Sequence, residues 1–430
     1  MNIFWIKAGP LYPLDTGGKI RTWNILKELG KRNDVTVFSF FPAYMGEPQD
    51  SAGKYVSRLV SMPVDMPEKY SFEYYFDYLR KLPSTVPYVV RQNELPEVQK
   101  LVHVMLQKAS FDVVICDFLF PCLNLPEKMG CPKVLFAHNA ETMIWQRHFK
   151  VARSPFRRAV FGLEYRKMKI FEGRQCSSFD HLIAVSDIDR KWFARYMPAS
   201  QISVIPTGVD LEYFIPSPAP SNPSKLIFTG SMDWLANEDA ILYFEEKVLP
   251  RIVREIPSIT LTVAGRDPTD QLLAMAKRSS RIRFTGTVPD VRPYVHEAAV
   301  YVLPLQVGSG TRLKIFEAMA MGKAVVSTRV GAEGLPVISG KHLLLADEPE
   351  AFASSVVQLI KDQQLRQQLG HAARRLVEDR YGWPEVGRTF QDILESAVTH
   401  RNRQPEKRSP KQWTMESGAS PAVENSLDES

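Results

Sequence analysis

The sequence predicts an α/β protein made of two doubly wound domains in tandem, and three observations carry that expectation. At 430 residues the chain is too long for one ordinary hydrophobic core, given about 150 residues per domain. Short apolar, β-rich runs alternate with longer segments of helical periodicity, as strands of a buried parallel sheet do. After a proline-dense stretch the same alternation starts again. With 44% hydrophobic and 24% charged residues and a mean hydropathy of -0.19, the composition is ordinary for a globular chain and excludes a fibrous or mainly disordered one.

The opening forty residues read as one βαβ unit: a strand at 2–7, a loop at Gly17 and Gly18, a helix, and a strand at 35–40. In the helix Ile20, Trp23, Ile25, Leu26 and Leu29 recur at three- to four-residue spacing, a stripe suited to packing on a sheet. The segment 42–96 is rich in aromatics and prolines without a clean period and reads as helical insertions covering a cleft. Further strands are predicted at 112–116, 133–137, 181–185 and 202–205, closing a first domain over 1–206. From 207 to 223 the chain carries Gly208, Pro216, Pro218, Pro220 and Pro223, which reads as an interdomain linker.

A second domain over 224–382 follows, with strands at 226–229, 259–264, 282–285, 300–303, 323–328 and 343–345. Its helices are predicted near 237–255, 270–277, 312–321, 349–361 and 364–379. Pro384 opens a last helix over 383–400, and the polar remainder 401–430 reads as a disordered tail.

A formal net charge of +6 spread over so large a surface is far below that of a dedicated nucleic-acid binder. No run reaches the roughly 18 apolar residues of a spanning helix and no secretion signal is written, so a cytosolic chain is expected. Cys116, Cys122, Cys131 and Cys176 form no CxxC pair and lie in or beside apolar segments, as buried thiols in a reducing compartment do. The basic excess is local. Between 146 and 175 nine Lys and Arg residues stand against Glu164 and Glu172 only, interleaved with Phe149, Phe156, Phe161, Tyr165 and Phe171. That stretch reads either as a surface for anionic lipid headgroups or as a solvated helix with its aromatics turned to the core.

The most informative segment runs from Val307 to Gly322 between two predicted strands, as a strand-to-helix turn. Gly308 and Gly310 let the backbone approach a ligand, and Ser309 and Thr311 can cap the helix. Unpaired amides at the helix start carry partial positive charge and accept a phosphate. Lys314 and Glu317, three apart, share a face toward the cleft, and Glu317 lies about 9 Å beyond Thr311 along the axis, roughly one diphosphate further. A carboxylate there can accept both ribose hydroxyls. Arg312 reaches the same diphosphate as Lys314 only from the loop before the helix tightens. Without a ligand, the same residues are an ordinary turn with a solvated Lys–Glu pair.

GSGTRLKIFEAMAMGKAVVSTRVGAEGL at 308–335, with FTGSMDW at 228–234, VAGRDP at 263–268, TGTVPDVRPY at 285–294 and HNAE at 138–141, resembles the retaining glycosyltransferases of family 4. The resemblance covers nearly all of 1–400 and looks like the branch associated with exopolysaccharide assembly. It implies two Rossmann-like domains facing a cleft, the B-type glycosyltransferase fold, with the first domain on the acceptor side and the second binding the nucleotide-sugar donor. There is one departure: the family's first glutamate, eight residues before the one matching Glu317, is replaced by Ser309. Ribose binding therefore carries over to Glu317, while contact with the donor sugar passes to the backbone of 308–311.

The resemblance further implies that Gly17 and Gly18 approach the donor phosphates or acceptor, and that Gly230 and Arg266 lie by the diphosphate. It places Val288, in the 286–292 loop, along the nucleobase and His138 beside the transferred sugar, with Glu141 orienting His138 or meeting the acceptor. His138, Arg266 and Lys314 are thus the expected catalytic group. The acceptor attacks the face from which the nucleotide leaves, the diphosphate serving as base, so no paired-carboxylate set is needed and no metal dyad is expected. The expected partners are a nucleotide-sugar and a glycan or lipid-linked acceptor, with peripheral membrane contact through 146–175 at the inner face of the cell membrane and no nucleic acid. A nucleotide-sugar epimerase of the same fold would need further cleft carboxylates that the sequence does not reveal. A non-catalytic nucleotide-binding protein would bind without transfer, and the absence of GxGxxG after the first strand argues against a dehydrogenase.

Overall fold

The structure, a computed structural model, describes residues 1–14, 16–46, 51–152, 154–232, 234–307 and 313–403. The predicted Gly308, Ser309, Gly310, Thr311 and Arg312, and the tail beyond 403, lie outside the described residues.

Two parallel sheets organise the chain. The first contains β1 (Asn2–Ala8), β2 (Asp34–Pro42), β3 (Arg58–Val64), β4 (Val113–Asp117), β5 (Lys133–Ala137), β6 (His181–Ala184) and β7 (Ile202–Val204), in the order β3-β2-β1-β4-β5-β6-β7. The second contains β8 (Asn222–Thr229), β9 (Thr260–Ala264), β10 (Ile282–Phe284), β11 (Ala298–Leu303), β12 (Ala324–Ser327) and β13 (Leu344–Leu345), in the order β10-β9-β8-β11-β12-β13. In both, the order reverses beside the first strand, between β1 and β4 and between β8 and β11. Open α/β sheets bind ligands just outside the carboxyl ends of strands at such a switch point. The central strands are buried on both faces because helices cover both, so β4, β5, β11 and β12 read as unbroken apolar runs.

Three local readings differ from the structure. Segment 42–96 contains β3, paired in parallel with β2 at the sheet edge; Pro63 obscures it in the sequence but is tolerated because an edge strand need not donate on its outer side. The predicted helix 237–255 is interrupted: Leu235–Tyr243 passes through one π-helical turn, Phe244–Val248, into Leu249–Glu255. Pro250, in the first turn of the last piece, cannot donate to the preceding ladder and crowds its carbonyls. Finally, the helix Phe72–Lys81 covers none of the described residues with its outer face, since Phe72, Tyr75, Phe76 and Leu79 are exposed.

The last helix, Trp383–Arg403, leaves the second domain and packs on the first helix, Gly17–Leu29. Trp383, Val386, Phe390 and Leu394 join the first domain's core, where the Phe390 ring lies 5.8 Å from that of Trp5 and 5.2 Å from that of Phe136. Gln391 accepts a 2.7 Å hydrogen bond from Asn33. The chain thus crosses between the sheets twice, once through the linker and once through this helix.

Candidate active site

At the first switch point, the register of β1 against β4 sets Lys7 opposite Asp117. Lys7 Nζ lies 3.0 Å from Asp117 Oδ2, which also accepts from Thr22 Oγ1 at 2.8 Å and Trp5 Nε1 at 3.2 Å. Asp117 Oδ1 receives His138 Nε2 at 2.7 Å. On the other side of the ring, Arg21 Nη1 lies 2.9 Å from His138 Nδ1, and Arg21 Nη2 donates to Thr207 Oγ1 at 2.6 Å. A guanidinium only donates, so Nδ1 accepts and the proton sits on Nε2. Burial accordingly lowers the His138 pKa to about 4 despite Asp117, leaving the imidazole neutral at pH 7. Burial lowers that of Arg21 to about 10, and Asp117, though buried, is held well below the carboxylate range by Lys7 and His138.

The phenyl ring of Phe118 stacks on His138, centroids 3.9 Å apart and planes 6° from parallel. Gly18 lies above this stack, and a Cβ there would come within 2.7 Å of Phe118 Cζ. So the structure brings Gly17, Gly18 and His138 together at the start of the first helix, with His138 buried and both ring nitrogens occupied. The carboxylate that orients it is Asp117, not Glu141. Glu141 is buried beside Glu172, which accepts the backbone N–H of Glu141 at 2.7 Å; burial and that neighbour push its carboxyl up to about 8. Asp117 has a sequence signal, a lone acid ending an apolar strand, which reading by periodicity passes over.

At the second switch point the strand β8 ends at Thr229 and Gly230 turns with φ +151. A side chain on Gly230 would have its Cβ 2.7 Å from Lys314 Nζ and 2.8 Å from Asn237 Nδ2. Glycine is required here both by the dihedral and by the closeness of that lysine. Lys314, in the helix Leu313–Ala320, donates to Asn237 Oδ1 at 2.8 Å and sits 4.4 Å from the centroid of Phe228. Asn237 donates to the carbonyl of Ser231 at 2.7 Å, and Arg266 Nε donates to Ser231 Oγ at 2.8 Å. Gly230, Arg266 and Lys314 therefore converge through Ser231 and Asn237, neither of which sequence reasoning singled out.

Gly265, beside Arg266, bridges to Gly286, which opens the loop carrying Val288. That loop is held by Asp290 and Arg292: Arg292 Nε lies 3.0 Å from both Asp290 oxygens, and its guanidinium stacks 3.8 Å from the Tyr213 ring centroid. Glu317, one turn after Lys314, is partly buried and, among the described residues, has no hydrogen-bond donor. Desolvation pushes its carboxyl up to about 7, against the opposing pull of Lys314. A cationic cradle followed one turn later by an unsaturated carboxylate suits a ligand with an anionic group and, next to it, hydroxyls.

Residues 16–213 match Glycosyltransferase Family 4, and residues 223–362 match the Glycosyl transferases group 1 family. Phosphatidyl-myo-inositol mannosyltransferase of Mycobacterium tuberculosis is 29% identical over 229 residues, 50% of this chain and 59% of that protein. The match thus spans less than two thirds of that relative. An uncharacterized 44.6 kDa protein in the cps region of Klebsiella pneumoniae is 22% identical over 390 residues, 87% of this chain and 95% of that protein. Among solved structures, sucrose-phosphate synthase from Thermosynechococcus elongatus has a TM-score of 0.68 at 17% identity, covering 93% of this chain and 100% of that one. Anabaena Alr3699/HepE in complex with UDP and glucose has a TM-score of 0.62 at 14% identity, covering 92% and 100%. The fold is that of the two-domain, B-type glycosyltransferases.

Proposed function

The chain belongs to the family 4 glycosyltransferases, and from that premise we propose that it is a retaining, metal-independent enzyme moving a sugar from a nucleoside diphosphate sugar to a glycan or lipid-linked acceptor. The single observation that carries this reading is the convergence of Lys314, Arg266 and Gly230 at the second switch point, with Glu317 one turn beyond. Lys314 and Arg266 neutralise the diphosphate as the bond to the sugar breaks, so the reading assigns no role to a divalent ion. Glu317 accepts the ribose hydroxyls, the loop around Val288 borders the base, and contact with the sugar falls to the backbone of 308–311.

In the step itself the bond from the sugar's anomeric carbon to the diphosphate oxygen breaks with the electron pair leaving on that oxygen. The acceptor oxygen bonds to the same carbon on the same face, and its proton passes to the diphosphate. His138, locked as a neutral ring between Arg21 and Asp117, shapes the floor beneath the sugar through its stack with Phe118 and transfers no proton. The Klebsiella relative's place in a cps region and the lipid substrate named for the mycobacterial one support a cell-envelope or exopolysaccharide acceptor. No described helix is long and apolar enough to cross a membrane; peripheral contact through 146–175 brings the enzyme to such an acceptor.

Calorimetric titration of UDP, GDP and ADP, with EDTA throughout, tests the donor site. One nucleotide should bind, and Lys314→Met should weaken it by about tenfold or more, as loss of a charged hydrogen bond does. Failure of all three to bind, or binding that needs added metal, overturns the reading.

A further inference from the structure

We propose that the helix Phe72–Lys81 is a membrane-insertion element, laying its aromatic outer face into the headgroup region of an anionic bilayer while the neighbouring hairpin of Glu141–Val151 and Pro155–Cys176 supplies the cations. The proposal rests on the lipid-linked acceptor reading for its purpose, and on geometry alone for its location.

The helix has two apolar faces and uses only one. Its inner tyrosines hold it to the body: the Tyr74 and Tyr78 rings lie edge-on to Tyr88 at 5.3 and 5.0 Å, and Tyr78 OH donates to Glu164. Its outer residues follow helical spacing, and each is open to solvent: Phe72 81%, Tyr75 54%, Phe76 63% and Leu79 63%, with Tyr70 at 78% just ahead. A continuous aromatic stripe of this kind on a single amphipathic helix marks an interaction surface.

The charge around it selects the partner. Lys167 donates to the carbonyl of Leu82 at the end of this helix, which sets the hairpin alongside. Within 141–176 the only acids are Glu141, Glu164 and Glu172, and all three are buried. Arg147, Lys150, Arg157, Arg158, Arg166, Lys169 and Arg174 are exposed, so the described surface of the hairpin is cationic throughout. Phe156, at 78%, and Ile170, at 55%, project between them two heptads apart. The stripe itself brings one exposed acid, Glu73. Aromatic and cationic side chains on one face fit a leaflet of anionic lipid, where rings sit at the headgroup level and cations meet phosphates. A second copy of the chain would set like charges against each other across a two-fold interface.

Co-sedimentation of the full chain with vesicles of phosphatidylcholine and phosphatidylglycerol in equal parts, and with pure phosphatidylcholine, tests the proposal. The wild type should partition onto the mixed vesicles only, and Phe72→Ser with Phe76→Ser should lower that partition at least tenfold while leaving the melting temperature unlowered. Arg157→Glu with Arg158→Glu should lower it comparably. Absence of wild-type partition, or partition unchanged in the serine variant, overturns the proposal. So does light scattering that shows a dimer abolished by the serine substitutions without vesicle binding. Nucleotide titration of the serine variant separates the two readings, since lost vesicle binding with intact nucleotide binding concerns this surface alone.

Discussion

Replacing Glu317 by Gln should make the free protein more stable and the donor complex weaker, a pairing of opposite signs that a structural carboxylate does not give. Desolvation raises the Glu317 pKa from 4.5 to about 7, so between those values the folded protein holds a proton that the unfolded chain has released. Stability therefore falls as pH rises from about 4.5 to about 7 and is flat above, because the unfolded state binds fewer protons there. At about 1.4 kcal/mol per unit the ceiling is about 3 kcal/mol, and with partial solvation an effect of about 1–3 kcal/mol is expected. Glutamine keeps the shape and cannot ionise. Thermal melts at pH 4.5 and pH 8 should show equal midpoints for wild type and variant at the lower value, and a higher midpoint for the variant at the upper. In calorimetry at pH 8 the variant should bind the nucleotide about 10- to 150-fold more weakly, the equivalent of about 1.5–3 kcal/mol for hydrogen bonds to a charged acceptor. Wild-type affinity should also rise with pH up to about 7 and then level off. A variant less stable at pH 8 with unchanged affinity would refute the assignment of Glu317 to the donor.

Gly230→Ala places a Cβ against Lys314 Nζ and Asn237 Nδ2 at a dihedral that L residues rarely adopt; nucleotide affinity should fall at least tenfold and stability by about 1–3 kcal/mol, read by calorimetry and melting. Asp117→Asn leaves the buried Lys7 without its counter-ion and takes from Arg21 the weaker of its two acids, Asp189 remaining, and should cost about 3–5 kcal/mol in urea denaturation at pH 7. Because the Asp117 carboxyl is held below its ordinary 3.8, its stabilisation is present above that pH and lost on acidification, and the variant should lack this part of the acid limb. Gly18→Ala must displace Phe118 from its stack on His138 and should cost about 1–3 kcal/mol, with the acceptor KM rising more than the donor KM.

The two sheets were legible because strands buried on both faces leave an apolar run that no surface constraint interrupts. β3 was not legible: at the edge, half its residues face solvent and one is Pro63, so neither run nor alternation survives. That Gly230, Arg266 and Lys314 lie near one another was implied by the family motifs, and the place of Glu317 one turn after Lys314 by helical spacing. The residues that join them, Ser231 and Asn237, were not, since a buried Asn in a helix carries no mark until its partners are known. The outer face of Phe72–Lys81 misled for a related reason. Apolar residues at helical spacing ordinarily announce a core-facing side, and sequence alone cannot say that the helix also has a second, tyrosine-rich face already used for that purpose.

The two switch points repeat one theme, a lysine beside an acid, and their difference divides the work between the domains. Asp117 is saturated: Lys7, Thr22, Trp5 and His138 occupy its oxygens, and the ring it orients is capped by Arg21, which ties it to Thr207 in the linker. Of that cluster Arg21 Nε is left without a partner among the described residues, but the acid and both imidazole nitrogens are fully used, so they hold geometry rather than meet a ligand. Glu317 has a cation within reach of its field and, among the described residues, no donor, and desolvation raises its energy until something with hydroxyls arrives. A carboxylate kept in that condition in the free protein is stabilised only in the complex, which is how binding energy is concentrated on the correct ligand. Under the function proposed above, selection of the donor falls to the second domain, while the first, tied to Thr207 through Arg21 and to the second through the Trp383 helix, supplies the floor on which the acceptor would meet it.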